Sequence, residues 1–377
     1  MGIRKVTWVY VLPCLPAGSV RKLLVMFVPK FTITTKILYS ISRIEVAKEF
    51  IENAPLIPRW EDQFREDAIL RSVHHGTHVE GNSLDIAQVK EALLGGSIIA
   101  RDRDIQEIIN YRNVLKYIDD EFTDTHKPVD LGVILNTHKL IVNKVIDASH
   151  AGRFRDVQVV IRNSLTGHIT YMPPTPDEVP DLMYQFIHWL NHSTNVDISP
   201  ILKAGIAHYA INAIHPFIEG NGRTSRAVAT TVLFKEGYDF KRFFSIEEYY
   251  DKDADRYYAH LQKVSGSGRT LLERDMTTWL EYFSEGLMIE LEKIKIQVKK
   301  LSMDTRLKGK VGQIELNERQ IKLFEFIEAH GQISNKEWRH LIPMVSDDTI
   351  LRDLKFLIKK KLIKKSGSTK ASVYKLK

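Results

Sequence analysis

The 377-residue sequence contains a single cysteine, Cys14. A disulfide framework is therefore excluded, as is a cysteine-built metal site, and this usage suits a reducing cytosol. Long apolar runs are missing too. Residues 6–15 follow Arg4 and Lys5 and superficially resemble a signal peptide, but Pro13 and Pro16 interrupt them and Arg21 and Lys22 follow at once. Nothing reaches the roughly 18 consecutive apolar residues that a membrane-spanning helix needs. No G-x-x-x-x-G-K-[ST] occurs, which removes the P-loop as a phosphate site. Internal repeats and low-complexity tracts are absent. The expectation is a soluble, cytoplasmic protein with no membrane contact, whose residues 1–40 remain unassigned.

With 44% hydrophobic residues the chain can fill the cores of two domains. Its formal charge of +7 is unevenly spread. From Arg352 onward there are ten Lys or Arg and one acid, Asp353, so the rest of the chain is slightly acidic. A basic patch of this kind invites an acidic partner such as nucleic acid.

Apolar spacing predicts helices over 41–54, 61–75, 85–94, 104–122, 178–190 and 200–214. The period changes to two at Val157, Val159 and Ile161, with a turn at 164–167 and a return strand through Ile169 and Tyr171, so a small hairpin interrupts the helices. A helix over 275–301 carries a narrow seam of Met276, Leu280, Phe283, Leu287, Leu291, Ile294 and Val298. That seam is either internal packing or a homodimer contact. Residues 303–312 read as a linker. In 313–377, Asn317, Ser334 with Glu337, and Ser346 are placed to cap three short helices, and strands over 362–365 and 372–376 follow. Three helices and a basic hairpin resemble a winged helix. Thr349, Arg352, Lys355 and Lys359 would then form the DNA-contacting face.

The most informative stretch is His215-Pro-Phe-Ile-Glu-Gly-Asn-Gly-Arg-Thr-Ser-Arg226. Gly220-Asn221-Gly222 forms a turn before a predicted helix over 223–235. Backbone N–H groups at such a turn suit phosphate oxygens. Arg223 and Arg226 are three apart on one helix face and can clamp a polyphosphate. Glu219 at the same mouth can hold Mg²⁺. His215 can serve as a general base near neutral pH. His74 and His78 have helical i, i+4 spacing, but the glutamate of H-E-x-x-H is missing and Gly76 weakens the helix. Among these residues only Glu219 is expected to bind metal.

The segment 215–226 matches the Fic family motif H-x-F-x-[DE]-G-N-G-R-x-x-R at every defined position, and the chain resembles that family over roughly residues 40–295. The resemblance implies a Fic-type helical core over 41–302 with a β-hairpin flap; with the linker and the winged-helix domain read above, the expected fold is mostly α. It implies a protein adenylyltransferase that moves AMP from ATP to a Ser, Thr or Tyr hydroxyl of a protein. His215 would be the base, Glu219 the Mg²⁺ ligand, and Gly220, Asn221, Gly222, Arg223, Thr224 and Arg226 the nucleotide site. Tyr257 and Tyr258 resemble a family pair near adenine. His168, Ile169, Thr170 and Tyr171 would dock the target by strand addition. Residues 77–82, Thr-His-Val-Glu-Gly-Asn, resemble the family's inhibitory helix [ST]-x-x-x-E-[GN], in which Glu80 would pair with Arg226 and deny it to the γ-phosphate. The position four before Glu80 is Gly76, a departure from that pattern. Two alternatives stay open. One is a DNA-binding regulator whose core only senses nucleotide, and the other is removal of AMP from a protein by the same site.

Overall fold

The computed structural model describes residues 27–56, 58–122, 127–162, 167–192, 198–306, 316–343, 345–367 and 372–377. The expectations for the first 26 residues and for the turn at 164–166 fall outside that range; of the linker read over 303–312, residues 303–306 instead continue a helix that ends at Arg306, and 307–312 fall outside the described range. Among the described residues no helix is long and apolar enough to cross a membrane.

The larger unit is helical. Its elements are α1 (Thr35–Asn53), α2 (Pro58–His78), α3 (Ile86–Leu93), α4 (Asp102–Glu121), α5 (Leu131–Ile141), the hairpin β1 (Ile161–Arg162) and β2 (Ile169–Tyr171), α6 (Val179–Asn191), α7 (Pro200–Ile214), α8 (Asn221–Lys235), α9 (Glu247–Lys252), α10 (Ala254–Ser265) and α11 (Thr277–Arg306). At the centre lies α7, in which every residue from Ile201 to Ile214 except Asn212 is buried. It packs along α8, and only the loop 215–220 separates them. This pair holds the motif between two buried helices, so its geometry is set by the core.

The seam of α11 is internal. All seven of its apolar residues are at most 2% exposed and pack in the main core, with α1 lying along the helix. These seven residues therefore face the unit's own core rather than a second copy. The hairpin is shorter than the alternation predicted. Val157 is half exposed, and its carbonyl accepts from Arg155 Nη1 at 3.1 Å, while the Val159 carbonyl accepts from the Gln158 amide at 3.0 Å. Side chains, not a partner strand, satisfy the backbone there. Helix α2 runs three residues further than read from sequence, so the segment around Glu80 leaves directly from a helix end.

The C-terminal unit contains α12 (Glu318–His330), β3 (Gln332–Ser334), α13 (Asn335–Leu341), α14 (Asp347–Lys359), β4 (Ile363–Ser366) and β5 (Val373–Leu376). Capping boxes form at Asn317/Gln320 and Ser334/Glu337. Phe324, Ile327, Trp338, Leu354, Leu357 and Tyr374 build a core of its own. The sheet is antiparallel in the order β3-β5-β4. Strand β3 was not legible in sequence, because three residues gain strand identity only by pairing with β5 some forty positions later.

Candidate active site

The loop between α7 and α8 is built by its own side chains. Asn221 accepts from the Phe217 N–H at 3.0 Å and donates to the Phe217 carbonyl at 2.8 Å. Thr224 Oγ1 donates to the Gly220 carbonyl at 2.8 Å and is fully buried. These two side chains shape the cradle, so only backbone groups at their positions are left to meet an anion.

His215 caps α7 in the left-handed region, at φ 51° and ψ 59°, where a non-glycine residue is strained. Arg155 holds it there. The Arg155 Nε donates to the His215 carbonyl at 2.8 Å, its backbone N–H donates to the Pro216 carbonyl at 2.9 Å, and its Nη2 reaches the Pro174 carbonyl. His215 Nδ1 faces the Asn212 carbonyl at 3.3 Å. A carbonyl only accepts, so Nδ1 carries the proton and Nε2 keeps its lone pair. Burial lowers the ring pKa to about 4, with Arg155 adding to the shift against the Asn212 carbonyl and Glu80. The imidazole is therefore neutral at pH 7 and able to accept a proton.

His138 on α5 locks the loop from below. Its Nδ1 accepts from the Gly152 N–H at 3.0 Å, which leaves Nε2 to donate to the Glu219 carbonyl at 3.0 Å. Its ring lies parallel to Phe217 at 3.7 Å between centroids. Burial brings its pKa to about 4 as well, against the hydrogen bond to Glu219.

Arg223 and Arg226 are 4% and 1% exposed; Nε of both and Nη1 of Arg226 lack a hydrogen-bond partner, and Nη1 of Arg223 meets Glu107 only as an ion pair. Arg223 is neutralised by Glu107 and Glu219, each at 3.3 Å. Arg226 Nη2 contacts Glu80 Oε1 at 2.9 Å and donates to the Gly76 carbonyl at 2.8 Å. Buried cationic donors left partly unused are costly, and a polyanion would satisfy them.

Glu80 thus reaches the motif from the end of α2. Burial raises its carboxyl pKa, but Arg226 and then Arg223 outweigh this and hold it below the usual range. The segment is pinned on both sides. Tyr258 donates to the Val79 carbonyl at 3.1 Å, and Asn82 donates to the Asp104 carbonyl at 3.0 Å and to Glu107 at 3.2 Å. The Thr77 hydroxyl turns back to the Val73 carbonyl at 2.8 Å rather than toward Glu80. The glycine at 76 has a steric reason: a Cβ there would stand 2.7 Å from Tyr111 Cε1. At Gly222 a Cβ would stand 2.0 Å from Glu80 Oε1, so that glycine is what admits the carboxylate.

Three placements differ from the sequence reading. Tyr257 is 1% exposed and its hydroxyl bonds His208 Nε2 at 2.9 Å, so it is a core residue, while Tyr258 holds the Glu80 segment. Tyr171 donates to the Ala213 carbonyl at 2.6 Å and accepts from Arg274, so it fastens the flap to α7. His168, just before β2, and Ile169 and Thr170 on it are exposed. In the C-terminal unit, Arg352, Lys355 and Lys359 are exposed along α14, and Thr349 is half-buried beneath Arg352.

Sequence reasoning missed Arg103 altogether. From α4 it contacts both Glu107 and the carboxylate of Glu219, and both arginine contacts to Glu219 fall on Oε1. It lies 116 positions from Glu219, and no local pattern links them. His138 and Arg155 were also unassigned, since their roles follow from packing.

With this geometry in hand, residues 128–233 match the model of the Fic/DOC family. That stretch is the part of the chain similar to the family. The protein adenylyltransferase Fic of Drosophila grimshawi is 33% identical over 179 residues, 46% of this chain and 35% of that protein. That of Culex quinquefasciatus is 29% identical over 199 residues, 52% and 38% of the two chains. The match therefore spans little more than a third of these Fic relatives. A Fic family protein from Desulfovibrio desulfuricans shares the fold with a TM-score of 0.61 and 22% identity, over 93% of this chain and 98% of that one. A Fic-domain-containing signalling protein from Bacteroides thetaiotaomicron has a TM-score of 0.59 at 23% identity, over 70% and 97%.

Proposed function

We propose that this protein transfers AMP from ATP to a hydroxyl of a protein, and that Glu80 holds it in a slow state. The observation that carries the proposal is a neutral His215, with Nε2 unprotonated, beside two buried arginines that have unused donors. The relatives named protein adenylyltransferase support the same reading.

In the reaction the target hydroxyl oxygen bonds the α-phosphorus as the bond to the bridging oxygen breaks. Pyrophosphate leaves, and His215 Nε2 takes the hydroxyl proton. Backbone N–H groups at the start of α8 and the guanidinium of Arg223 stabilise charge on the phosphates. Arg226 grips the γ-phosphate once Glu80 withdraws, which orients the nucleotide for in-line attack. Glu219 fits a Mg²⁺ site because it offers a hard oxygen, 30% exposed, with both arginines on its other oxygen. A bound Mg²⁺ would neutralise phosphate charge. The exposed edge at 168–170 is where a target segment would lie.

The test is incubation with labelled ATP and Mg²⁺. His215→Ala is expected to abolish labelling while ATP affinity stays within a few-fold of wild type. Labelling that survives at more than a few per cent would remove His215 as the base.

For the C-terminal unit we propose a winged helix that contacts nucleic acid. The single acid of α14's basic end, Asp353, is buried and neutralised inside the unit by Arg319 at 2.8 Å, which leaves Arg352, Lys355 and Lys359 as exposed cations there, while Asp347 and Asp348 lie at the opposite end of the helix.

A further inference from the structure

The histidines before Glu80 are discounted by spacing alone, but the tertiary structure brings a carboxylate to them. Asp251 on α9 lies against the end of α2 with its side chain 8% exposed. Its two oxygens each contact a different ring, His75 Nδ1 at 2.7 Å and His78 Nδ1 at 2.7 Å. The His74 ring lies edge-on to His75 at 4.5 Å and parallel to His78 at 5.5 Å. His74 Nδ1 is buried without a hydrogen-bond partner. One ligand atom each from His74, His75 and Asp251 already lie within 4.8 Å of one another.

We propose that His74, His75 and Asp251 form a binding site for a late first-row divalent metal ion, with Zn²⁺ as the probe. Two imidazoles and a carboxylate, without thiolate, suit Zn²⁺, Ni²⁺ or Fe²⁺ and give Mg²⁺ little purchase. Metal–nitrogen and metal–oxygen bonds near 2 Å put tetrahedral donors roughly 3.3 Å apart, so the three donors, now within 4.8 Å of one another, close together by up to about 1.5 Å, which ring rotation supplies. His78, half exposed beside them, or a water completes the shell. The partnerless nitrogen of His74 is the observation that a metal explains and a hydrogen-bond network does not.

The site also has leverage. Val79 and Glu80 follow His78 directly, and Tyr258, on the helix after α9, holds the Val79 carbonyl. A metal joining α2 to α9 therefore fixes both supports of the Glu80 segment and favours its docked state. This coupling rests on the transfer reading above, whereas the binding site does not.

The experiment uses the full chain, freed of metal and kept in excess Mg²⁺. Zn²⁺ affinity is measured by competition with a chromophoric chelator, alongside the visible spectrum of the Co²⁺ form. We expect one tight equivalent and a tetrahedral Co²⁺ spectrum. Asp251→Asn and His75→Gln, each checked for unaltered circular dichroism, should weaken binding at least tenfold and abolish that spectrum. His188→Ala should change neither, although His188 and His192 form a ring pair at the same i, i+4 spacing without a carboxylate. Equal affinity in wild type and both ligand variants would overturn the site. One equivalent of Zn²⁺ should slow self-labelling about tenfold in wild type and not in Asp251→Asn. Tight binding with unchanged labelling would leave the metal site and overturn its coupling to Glu80, and absence of labelling in every protein would count against the transfer reading alone.

Discussion

At the scale of single residues, the decisive contest is for the guanidinium of Arg226. In the proposed reaction, the Glu80 carboxylate 2.9 Å away would occupy the group that a γ-phosphate needs and would repel the triphosphate as well. A partly desolvated pair of this kind leaves the competent state in a minority. Glu80→Gly is therefore expected to raise self-labelling by roughly one to three orders of magnitude at saturating ATP and Mg²⁺. Adding Arg226→Ala should silence it again. Equal rates for wild type and Glu80→Gly would sink the inhibitory role. A second residue acts on Glu219 by its charge, from the oxygen that the ion would not use. Arg103 is bound to the carboxylate expected to meet Mg²⁺, so Arg103→Ala should lower the Mg²⁺ concentration for half-maximal labelling several-fold. An unchanged or higher requirement would mean that the arginine does not obstruct the ion.

At the scale of elements, the helices around the motif carry histidines that are neutral because they are buried. His138 on α5 and His215 at the end of α7 have pKa values near 4, and His208 within α7 is pushed well below its ordinary value. Each pKa is lower in the folded than in the unfolded chain, where it is about 6.5. The unfolded state therefore takes up protons first as the pH falls. Stability from these groups is complete above pH 6.5 and is lost on the way to pH 4, at a rate on the order of 3 kcal/mol per pH unit for His138 and His215 together. Thermal unfolding followed from pH 7.5 to 4.5 should show the midpoint falling, and His208→Gln should flatten the decline. A midpoint independent of pH in that window would refute the neutral assignments. The same helices explain why capping could be read from sequence. Asn317 and Ser334 act on neighbours three residues away, so their hydrogen bonds depend on local chain alone.

At the scale of the molecule, a helical unit that holds one phosphate-shaped site is followed by a unit with a cationic outer face. If α14 meets nucleic acid, the full chain should bind duplex DNA with an affinity that falls steeply as salt rises, because phosphate contacts release counterions. Replacing Arg352, Lys355 and Lys359 together by Ala should reduce both the affinity and the salt slope. Lack of any shift at low salt would favour a protein partner for this face instead. Neither result bears on the helical unit, whose core is separate.

Much of the site was legible because its parts are contiguous. A histidine, a carboxylate, a glycine turn and two arginines lie within twelve residues, so the sequence by itself determined which groups share one loop and helix start, and Glu80 was recognisable from its short flanking pattern. What only the tertiary structure decided are the long-range partners. Arg103 reaches Glu219, Arg155 restrains His215, His138 carries the loop, and Asp251 joins the histidines of α2, each across separations that no period or spacing encodes. The fate of apolar stripes was open for the same reason. The seam of α11 has one pattern whether it faces α1 or a second copy, and Tyr257 and Tyr258 are neighbours in sequence with opposite surroundings. Periodicity tells which side of an element is apolar, but burial depends on what the rest of the chain brings against it.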